Sequence, residues 1–212
     1  MLVKHLMSPE PVSISPDQSV ADASELMTSR AIRHLPVLEE GRLVGLVTRT
    51  SLAAALPGLG TGLTRFEYNY LTANTSVRDV MIREPMLGTE EMPAEEAARI
   101  MNANRISSLV VVRDGRPVGI ITDTDIFEAM LELLGARRTG VRLTVHLPDA
   151  PGELAKLSGA IGALGGNITA VGCWPVESGV WGAVLKVQNL TLESITGALS
   201  ALPSVVLVDA RA

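Results

Sequence analysis

Two stretches of the chain end in the same kind of polar step: GLVTRTSL at 45–52 and GIITDTDI at 119–126. In the second stretch, Thr122 and Asp125 combine a hydroxyl and a carboxylate at a spacing that suits the N-cap of a helix. The Asp125 carboxylate is also an ionised acceptor, and hydrogen bonds to ionised groups are the stronger kind. The first stretch keeps a threonine as Thr48 but has Ser51 in place of the aspartate. The pattern predicts one hydrogen-bonding device that occurs twice and carries a charge once.

Residue types that support catalysis or metal binding are poorly arranged in this sequence. The histidines, His5, His34 and His146, have neither metal-ligand spacing nor accompanying cysteines. Cys173 has no basic neighbour in the sequence, so we interpret it as a structural thiol. No nucleophile, base and orienting group can be assembled from the chain. We therefore predict no catalytic residue, no metal site and no catalytic cofactor.

Composition narrows the class of protein. Of the 212 residues, 47% are hydrophobic and 19% are charged, which suits one large domain or two ordinary ones. The formal net charge of -5 argues against nucleic acid as a partner, because binding to a phosphate backbone needs a basic face. No apolar run approaches the ~20 residues that cross a bilayer. Since the single cysteine fits a reducing compartment, we expect a cytoplasmic protein that binds neither nucleic acid nor a membrane.

The chain contains an internal repeat. A shift of 74 residues aligns 7–56 with 81–130 without a gap, and identical pairs include Met7/Met81, Pro11/Pro85, Ala23/Ala97, Met27/Met101, Gly41/Gly115, Gly45/Gly119 and Thr48/Thr122. Each copy begins with apolar residues at helical spacing and continues with two apolar runs separated by Glu-Gly or Asp-Gly, a pattern typical of a hairpin. A second helix is expected after the threonine. The repeat predicts two α/β modules, at 1–56 and 77–137.

Residues 57–76 form the predicted linker between the modules. Its first half carries glycines at alternate positions, Gly58, Gly60 and Gly62, which suggests part of a dinucleotide-binding loop. We reject that interpretation because no strand precedes the glycines and no helix of the required unit follows them. The second half, RFEYNYL, is expected to form a short helix.

A different pattern begins after Arg138. Alternation of apolar and polar residues over 141–147 predicts a half-buried strand, and the next segment predicts a helix capped by Asp149. The apolar stripe of that helix is expected to comprise Leu154, Leu157, Ile161 and Leu164. Two strands, a helix and a last strand follow, which completes the order βαββαβ of a ferredoxin-like split unit. The sequence therefore predicts a separate domain at 141–212 and an α/β (α+β) fold class.

The two copies resemble a tandem pair of CBS domains, also called a Bateman module. The matching segments are the entry patterns LMSPEPV and VMIREPM, the strand IRHLPVL, and the steps GLVTRTS and GIITDTD, which correspond to the family signature G-h-h-T-x-x-D with h apolar. The C-terminal part resembles an ACT domain through DAPGELAKL and GGNITAV. With Glu67, Tyr70 and Leu71 in the linker, the combination is similar to the B-type acetoin-utilization proteins of bacteria.

The resemblance implies what these modules bind. CBS pairs bind adenine nucleotides (AMP, ADP or ATP) or adenosyl compounds such as S-adenosylmethionine, in clefts between the two modules. ACT domains commonly bind an amino acid at a dimer interface, and many serve only assembly. A homodimer or higher homo-oligomer is therefore expected. Because no recognisable enzyme accompanies these sensor modules, a separate regulated protein is a further expected partner.

Within this resemblance, Thr122 and Asp125 are the first choice for a nucleotide site. A carboxylate at the strand-to-helix step can accept hydrogen bonds from both ribose hydroxyls, and the N–H groups of the helix start suit a phosphate. The adjacent strand is expected to supply an apolar slot for adenine, formed by Ser107, Ser108, Leu109 and Val110. The alternative interpretation is that Thr122 and Asp125 only cap their helix.

Thr48 and Ser51 are expected to form a second, weaker site. Serine caps a helix as well as aspartate does but offers no charged acceptor, a loss of roughly 1.5–3 kcal/mol, or about ten- to a hundredfold in affinity. Arg33 and His34 are expected to offset part of this loss by holding phosphates. A solvated surface for Arg33 and an ordinary strand position for His34 are equally good interpretations. We expect two unequal sites, with the Asp125 site as the primary one.

The C-terminal domain offers its own candidate contacts for an amino acid, which are Asp149, Ala150, Gly152, Asn167 and Ile168. Helix-start N–H groups suit the carboxylate of the ligand, and acidic or amide oxygens suit its ammonium group. A helix cap and a tight turn explain the same residues without a ligand.

The sequence as a whole predicts a non-catalytic regulatory protein that senses a ligand. An adenosyl ligand in the CBS pair, with an amino acid in the C-terminal domain, is expected to alter dimer geometry or partner binding. The alternative is a scaffold whose modules dimerise and bind no small molecule.

Overall fold

The computed structural model of the protein describes residues 1–55 and 64–212. The chain divides into two compact units, Met1–Ile126 and Phe127–Ala212. Outside the described residues lie the linker glycines Gly58, Gly60 and Gly62. None of the helices in the described ranges combines the length and the apolar character needed to cross a membrane.

The first half of the chain contains two copies of one arrangement. In chain order, its elements are β1 (Ser8–Pro9), α1 (Val20–Ser29), β2 (His34–Glu39), β3 (Arg42–Thr48), α2 (Arg49–Ala55), α3 (Arg65–Asn74), α4 (Val77–Val80), β4 (Leu87–Gly88), α5 (Ala94–Asn104), β5 (Ser108–Arg113), β6 (Arg116–Thr122) and α6 (Asp123–Leu133). The starts of α1, β2, β3 and α2 recur 74 residues later as the starts of α5, β5, β6 and α6. The repeat is therefore confirmed as a structural repeat, and α3 confirms the short helix predicted in the linker.

Local sequence signals account for the elements of each copy. Helix α1 begins after Ser19, which forms a capping box with Asp22 through hydrogen bonds of 2.9 and 3.1 Å. The β2–β3 hairpin turns through Glu40-Gly41, with φ of 50° and 77°, and β5–β6 turns through Asp114-Gly115, with φ of 52° and 74°. Positive φ at both turn residues defines the type I′ hairpin, so the turn prediction is confirmed.

The opening segment of each copy pairs with the hairpin of the other copy. Strand β1 is antiparallel to β6, with Ser8 opposite Ile120. In the same way, Ile82 at the start of the second copy exchanges two 2.9 Å backbone hydrogen bonds with Leu46 in β3. A small apolar cluster of Leu46, Val110 and Ile120 lies between the two hairpins. The copies are thus interlocked, and each needs the other to complete its sheet.

A methionine in each opening segment also packs against the hairpin of the other copy. Met7 packs its thioether onto Gly119 in β6, and Met81 packs onto Gly45 in β3. A Cβ at Gly45 would lie 2.6 Å from Met81 Sδ and 2.9 Å from the carbonyl oxygen of Ile82. Glycine at both positions therefore allows the opening segment to lie directly on the strand.

The second unit has the order βαββαβ that the sequence predicts. It comprises β7 (Val141–Pro148), α7 (Glu153–Ala163), β8 (Asn167–Glu177), β9 (Val180–Gln188), α8 (Leu192–Leu199) and β10 (Val206–Arg211). The sheet order is β10-β7-β9-β8, antiparallel throughout. The buried apolar residues of β7 alternate with exposed or partly exposed ones and join residues of α7 and α8 in one core cluster.

Helix α7 departs from the prediction at its start. It begins at Glu153, and Gly152 is its N-cap with φ of 89°, so the predicted cap by Asp149 is wrong. The buried stripe consists of Glu153, Leu157 and Ile161, while the predicted Leu154 and Leu164 are 41% and 44% exposed. Glu153 is buried because it accepts hydrogen bonds from Lys156 Nζ at 2.5 Å and Ser204 Oγ at 2.7 Å, which also lower its pKa.

Candidate functional site

Two pockets lie where the two copies meet. The Asp125 pocket has a volume of about 350 Å³ and is lined by residues 8–12 and 31–34 with Ile120, Thr122, Thr124 and Asp125. The Ser51 pocket has a volume of about 540 Å³ and is lined by residues 84–86 and 105–108 with Leu46, Thr48, Thr50, Ser51, Ala54 and Ile82. All but one of the residues in each set have their repeat mate in the other set. The pockets are therefore two versions of one construction.

In the Asp125 pocket the strand-to-helix step is closed by reciprocal hydrogen bonds. Asp125 Oδ2 accepts from the backbone N–H of Thr122 at 2.7 Å and from its hydroxyl at 2.8 Å. The N–H of Asp125 in turn lies 3.4 Å from Thr122 Oγ1. These contacts occupy one carboxylate oxygen only, and no described residue donates a hydrogen bond to Oδ1. The second oxygen is an ionised acceptor at the wall of the pocket.

The Ser51 pocket has the same step without the charge. Thr48 donates its backbone N–H to Ser51 Oγ at 3.0 Å, and Ser51 donates its backbone N–H to Thr48 Oγ1 at 3.0 Å. The Ser51 hydroxyl proton goes to the carbonyl oxygen of Thr48 at 3.1 Å. The prediction that serine preserves the cap is confirmed. Ser51 and Thr48 thus complete the cap with each other. This pocket has no carboxylate oxygen at the step for a ligand.

Arg33 also lines the Asp125 pocket. Its Nη2 atom donates to Asp123 Oδ1 at 3.1 Å and to Thr124 Oγ1 at 3.2 Å, which ties it to the first turn of α6. Both side chains of the ion pair are about half exposed, at 48% and 40%. An exposed ion pair contributes only about 0.2–1 kcal/mol. A ligand anion can therefore take Arg33 from Asp123 at small cost.

His34 connects the two pockets. This residue lines the Asp125 pocket and is only 8% exposed, and its Nε2 atom lies 2.9 Å from Oγ of Ser107, a residue of the Ser51 pocket. Burial lowers the pKa of His34, the charge of Arg33 lowers it further, and Asp123 opposes both effects. The ring is therefore held neutral, with one donor and one acceptor nitrogen.

The predicted grouping of these residues into sites is wrong. Arg33 and His34, expected beside Ser51, line the Asp125 pocket, and Ser107 and Ser108, expected beside Asp125, line the Ser51 pocket. Each pocket combines the strand-to-helix step of one copy with the loop before the hairpin of the other. Two copies related by a repeat exchange their partners in this way when their hairpins pack against each other.

Two more of the predicted residues belong to the core and line neither pocket. Leu109 and Val110 are fully buried, Leu109 in the core of the second copy and Val110 in the cluster between the hairpins. The sequence prediction also omitted the opening segments at residues 8–12 and 82–86, which form one wall of each pocket. The duplicated entry pattern, MSPEP and MIREP, was the available signal.

The candidate amino-acid contacts of the second unit lie at opposite ends of its sheet. Asp149, Ala150 and Gly152 follow the end of β7, where Pro148 pairs with Val180. Asn167 starts β8 and pairs with Gln188 at the other end of β9, and Ile168 comes next. Eight residues of strand separate the ends, or roughly 25 Å. One chain therefore does not bring these residues together in a single site. Across the described residues, no group of three or more potential metal ligands occurs.

Comparison with known proteins identifies the first unit. A family model described as CBS domain matches residues 3–58 and 77–132, which together make up more than half of the chain. The chain belongs to the CBS domain family. Both matched segments end shortly after the strand-to-helix steps that carry Ser51 and Asp125.

Solved CBS structures show the same fold. The CBS domain pair of protein MJ0100, in complex with 5′-methylthioadenosine and S-adenosyl-L-methionine, is 29% identical with a TM-score of 0.52, and the match covers 61% of this chain and 99% of that chain. CBSX2 in complex with AMP is 28% identical with a TM-score of 0.50, over 61% of this chain and 96% of that chain. A candidate acetoin utilization protein (AcuB) from Vibrio cholerae is 28% identical with a TM-score of 0.54, over 65% of this chain and 95% of that chain.

Curated relatives include larger enzymes. The chain is 34% identical over 115 residues to inosine-5'-monophosphate dehydrogenase from Thermoplasma acidophilum, a match that covers 54% of this chain and 20% of that enzyme. The chain spans less than a third of the length of the first curated relatives that it matches.

Proposed function

We propose that the CBS pair of this protein binds an adenine nucleotide or another adenosyl ligand and that the protein is a non-catalytic regulatory sensor. The observation that carries this proposal is the free Oδ1 atom of Asp125 at the wall of the Asp125 pocket. In this proposal, Oδ1 accepts from the ribose hydroxyls, and Arg33 in the same pocket receives a phosphate or another anionic group. A pocket of about 350 Å³ is at the lower end of the size range of small-molecule sites.

The ligands of the solved relatives support the adenosyl class. MJ0100 holds 5′-methylthioadenosine and S-adenosyl-L-methionine, and CBSX2 holds AMP, so adenosine is the part common to all of them. We propose a regulatory role because the sequence offers no nucleophile, base and orienting group to act on the bound ligand. In this role, ligand binding changes the dimer geometry or the binding of a separate protein.

We also propose the domain limits: CBS domains at 1–56 and 77–137, a linker at 57–76 and an ACT domain at 141–212. The order βαββαβ supports the ACT assignment. Because the predicted contacts lie at opposite ends of the sheet, an amino acid that uses both sets requires two copies of the unit. Equilibrium dialysis against a pool of labelled amino acids tests this part, and no retained amino acid at millimolar concentration would refute it.

The geometry of the Ser51 pocket favours an alternative function, that of a scaffold. Its strand-to-helix step is complete without a ligand, as expected of a scaffold whose modules only dimerise. In that alternative, the Asp125 carboxylate is a cap and nothing more.

Isothermal titration calorimetry with AMP, ADP, ATP and S-adenosylmethionine separates the sensor from the scaffold. The sensor predicts binding of at least one of these compounds below millimolar concentration, with affinity lost when Asp125 is replaced. A protein that binds none of the four in this range, while it remains folded by circular dichroism, is the scaffold.

A further inference from the structure

The hydrogen bond between His34 and Ser107 is a polar contact that joins the two pockets. His34 lines the Asp125 pocket, Ser107 lines the Ser51 pocket, and Nε2 and Oγ are 2.9 Å apart. The repeat mates of these residues are Ser108 and Arg33, which make no hydrogen bond to each other within the described part of the chain. Of the two equivalent positions in the repeat, only one therefore has this connection.

This bond has two forms, which differ in what Ser107 presents to the Ser51 pocket. When Nε2 carries no proton, the Ser107 hydroxyl donates to it, and only oxygen lone pairs remain for a ligand. When Nε2 carries a proton, it donates to Ser107 Oγ, and the hydroxyl proton is free to point into the Ser51 pocket. The state of His34 thus decides whether Ser107 is a donor or an acceptor there.

The charges around His34 determine what switches it. Arg33 directly precedes it in the chain, Asp123 acts on it from the start of α6, and Glu10 and Asp125 line the same pocket. The buried ring is neutral in this environment, because burial and Arg33 outweigh Asp123. A phosphate that binds Arg33 neutralises one repulsive charge and adds an attractive one, and both changes favour the imidazolium form.

We infer that an anionic adenosyl ligand in the Asp125 pocket tightens ligand binding in the Ser51 pocket, through His34 and the hydroxyl of Ser107. This inference rests on the proposed function, since it needs a ligand in each pocket. With the Nε2 proton in place, Ser107 becomes a donor and complements the oxygen acceptors of a second nucleotide. By linkage, a ligand in the Ser51 pocket favours binding in the Asp125 pocket by the same factor.

The test uses the full chain and AMP in isothermal titrations that resolve both sites. In the wild type, the Ser51 pocket fills after the Asp125 pocket, whereas in Val12→Trp, where an indole at an exposed lining position blocks the Asp125 pocket, it fills with that pocket empty. The ratio of the two dissociation constants for the Ser51 pocket measures the coupling, and we expect the wild type to bind about fivefold more tightly or better. Ser107→Ala should bring this ratio close to one.

Ser108→Ala is the matched control, because this hydroxyl lines the same pocket without a bond to His34. It should leave the ratio unchanged, whatever it does to the affinity itself. Nitrogen-15 spectra of the imidazole, assigned with His34→Gln, give a second readout. AMP should shift His34 towards the form with a proton on Nε2, and Ser107→Ala should not prevent that shift.

The outcomes separate the two proposals. If AMP binds neither pocket, the proposed function fails and the coupling with it. If AMP binds both pockets and the ratio is one in the wild type, or is unaffected by Ser107→Ala, the coupling alone is overturned and the nucleotide sites stand.

Discussion

The Asp125 pocket and the Ser51 pocket share their construction and differ in their chemistry. In each, a threonine and the residue three positions later close the start of a helix with hydrogen bonds of 2.7 to 3.4 Å. The Asp125 pocket adds a carboxylate oxygen without a described donor and an arginine, Arg33. The Ser51 pocket is larger, at about 540 Å³ against 350 Å³. It has serine in place of both charged residues, with Ser51 equivalent to Asp125 and Ser107 equivalent to Arg33.

This difference shows which part of the strand-to-helix step is structural. Since Ser51 completes the same cap as Asp125, the start of the helix does not need a charged residue. The carboxylate of Asp125 therefore exceeds what the fold requires, and its second oxygen is available for a ligand. One copy of the repeat thus serves as a natural control for the other.

The largest expected effect comes from Asp125→Ser, which gives the Asp125 pocket the cap of the Ser51 pocket. The fold should survive, because Ser51 shows that serine closes this step. The affinity for AMP in the Asp125 pocket should fall about ten- to a hundredfold, or about 1.5–3 kcal/mol. Calorimetry measures the loss, and urea denaturation serves as the control for folding. An unchanged affinity would mean that the carboxylate is only a cap.

The next largest effect is expected from alanine at Gly45 and Gly119, on which the opening segments pack. The loss of stability should differ between the two copies. A Cβ at Gly45 meets the backbone oxygen of Ile82 at 2.9 Å, whereas at Gly119 it meets only the flexible side chain of Met7. Gly45→Ala should lower the free energy of unfolding by about 1–3 kcal/mol, and Gly119→Ala by less. Urea denaturation of both variants measures the difference. Equal losses would contradict the account of the backbone contact.

Ser51→Asp should give the reverse of the first effect. An aspartate in the Ser51 pocket can keep the bonds to Thr48 and leave one oxygen for ribose hydroxyls, as Asp125 does. We expect the affinity of that pocket for AMP to rise about tenfold, equal to about 1.4 kcal/mol. Two-site calorimetry of this variant should show more nearly equal sites. A site that weakens instead would indicate that the Ser51 pocket binds its ligand in another orientation.

Arg33→Ala should have a smaller and more selective effect. The loss of an exposed charge partner is worth about 1 kcal/mol, or about fivefold in affinity for AMP. Adenosine, which has no phosphate, should bind as it does to the wild type. Arg42→Ala, at an exposed position of the hairpin, is the matched control and should change neither affinity. A parallel loss for adenosine would assign Arg33 a role in shape and not in charge recognition.

The smallest effect concerns pH. Because the pKa of His34 is lowered in the folded state, the unfolded chain binds the proton more readily. The stabilisation from neutral His34 is present above the unfolded pKa of about 6.5 and is lost as the pH falls below it. His34→Asn should therefore show a smaller decrease in unfolding free energy between pH 7.5 and pH 5 than the wild type does. If both proteins lose the same amount, His34 is not held neutral in the folded state.

The fold was largely predictable because its signals are local. The Asp-Gly and Glu-Gly turns, the helical spacing of Ala97 and Met101, and the alternation in β7 each specify an element without reference to distant residues. The buried stripe of helix α7 was mispredicted because it includes a carboxylate, Glu153, that depends on Ser204 some fifty residues away. No local pattern contains that contact.

The residues of the site were predictable, but their grouping was not. The repeat identified Thr122, Asp125 and their mates, since duplicated polar residues at one step are visible in the sequence. Which loop faces which step depends on how the copies pack, and the exchange of opening segments through Met7 and Met81 decides that. For this reason Arg33 and His34 were assigned to the wrong pocket.

Calorimetric titration of the wild-type protein with AMP tests the central claim most directly. Two unequal binding events are predicted, and in Asp125→Ser the tighter one should weaken about ten- to a hundredfold, into the range of the weaker one. A single class of equal sites, or a tighter event that persists in Asp125→Ser, would contradict the assignment of the Asp125 pocket as the primary site.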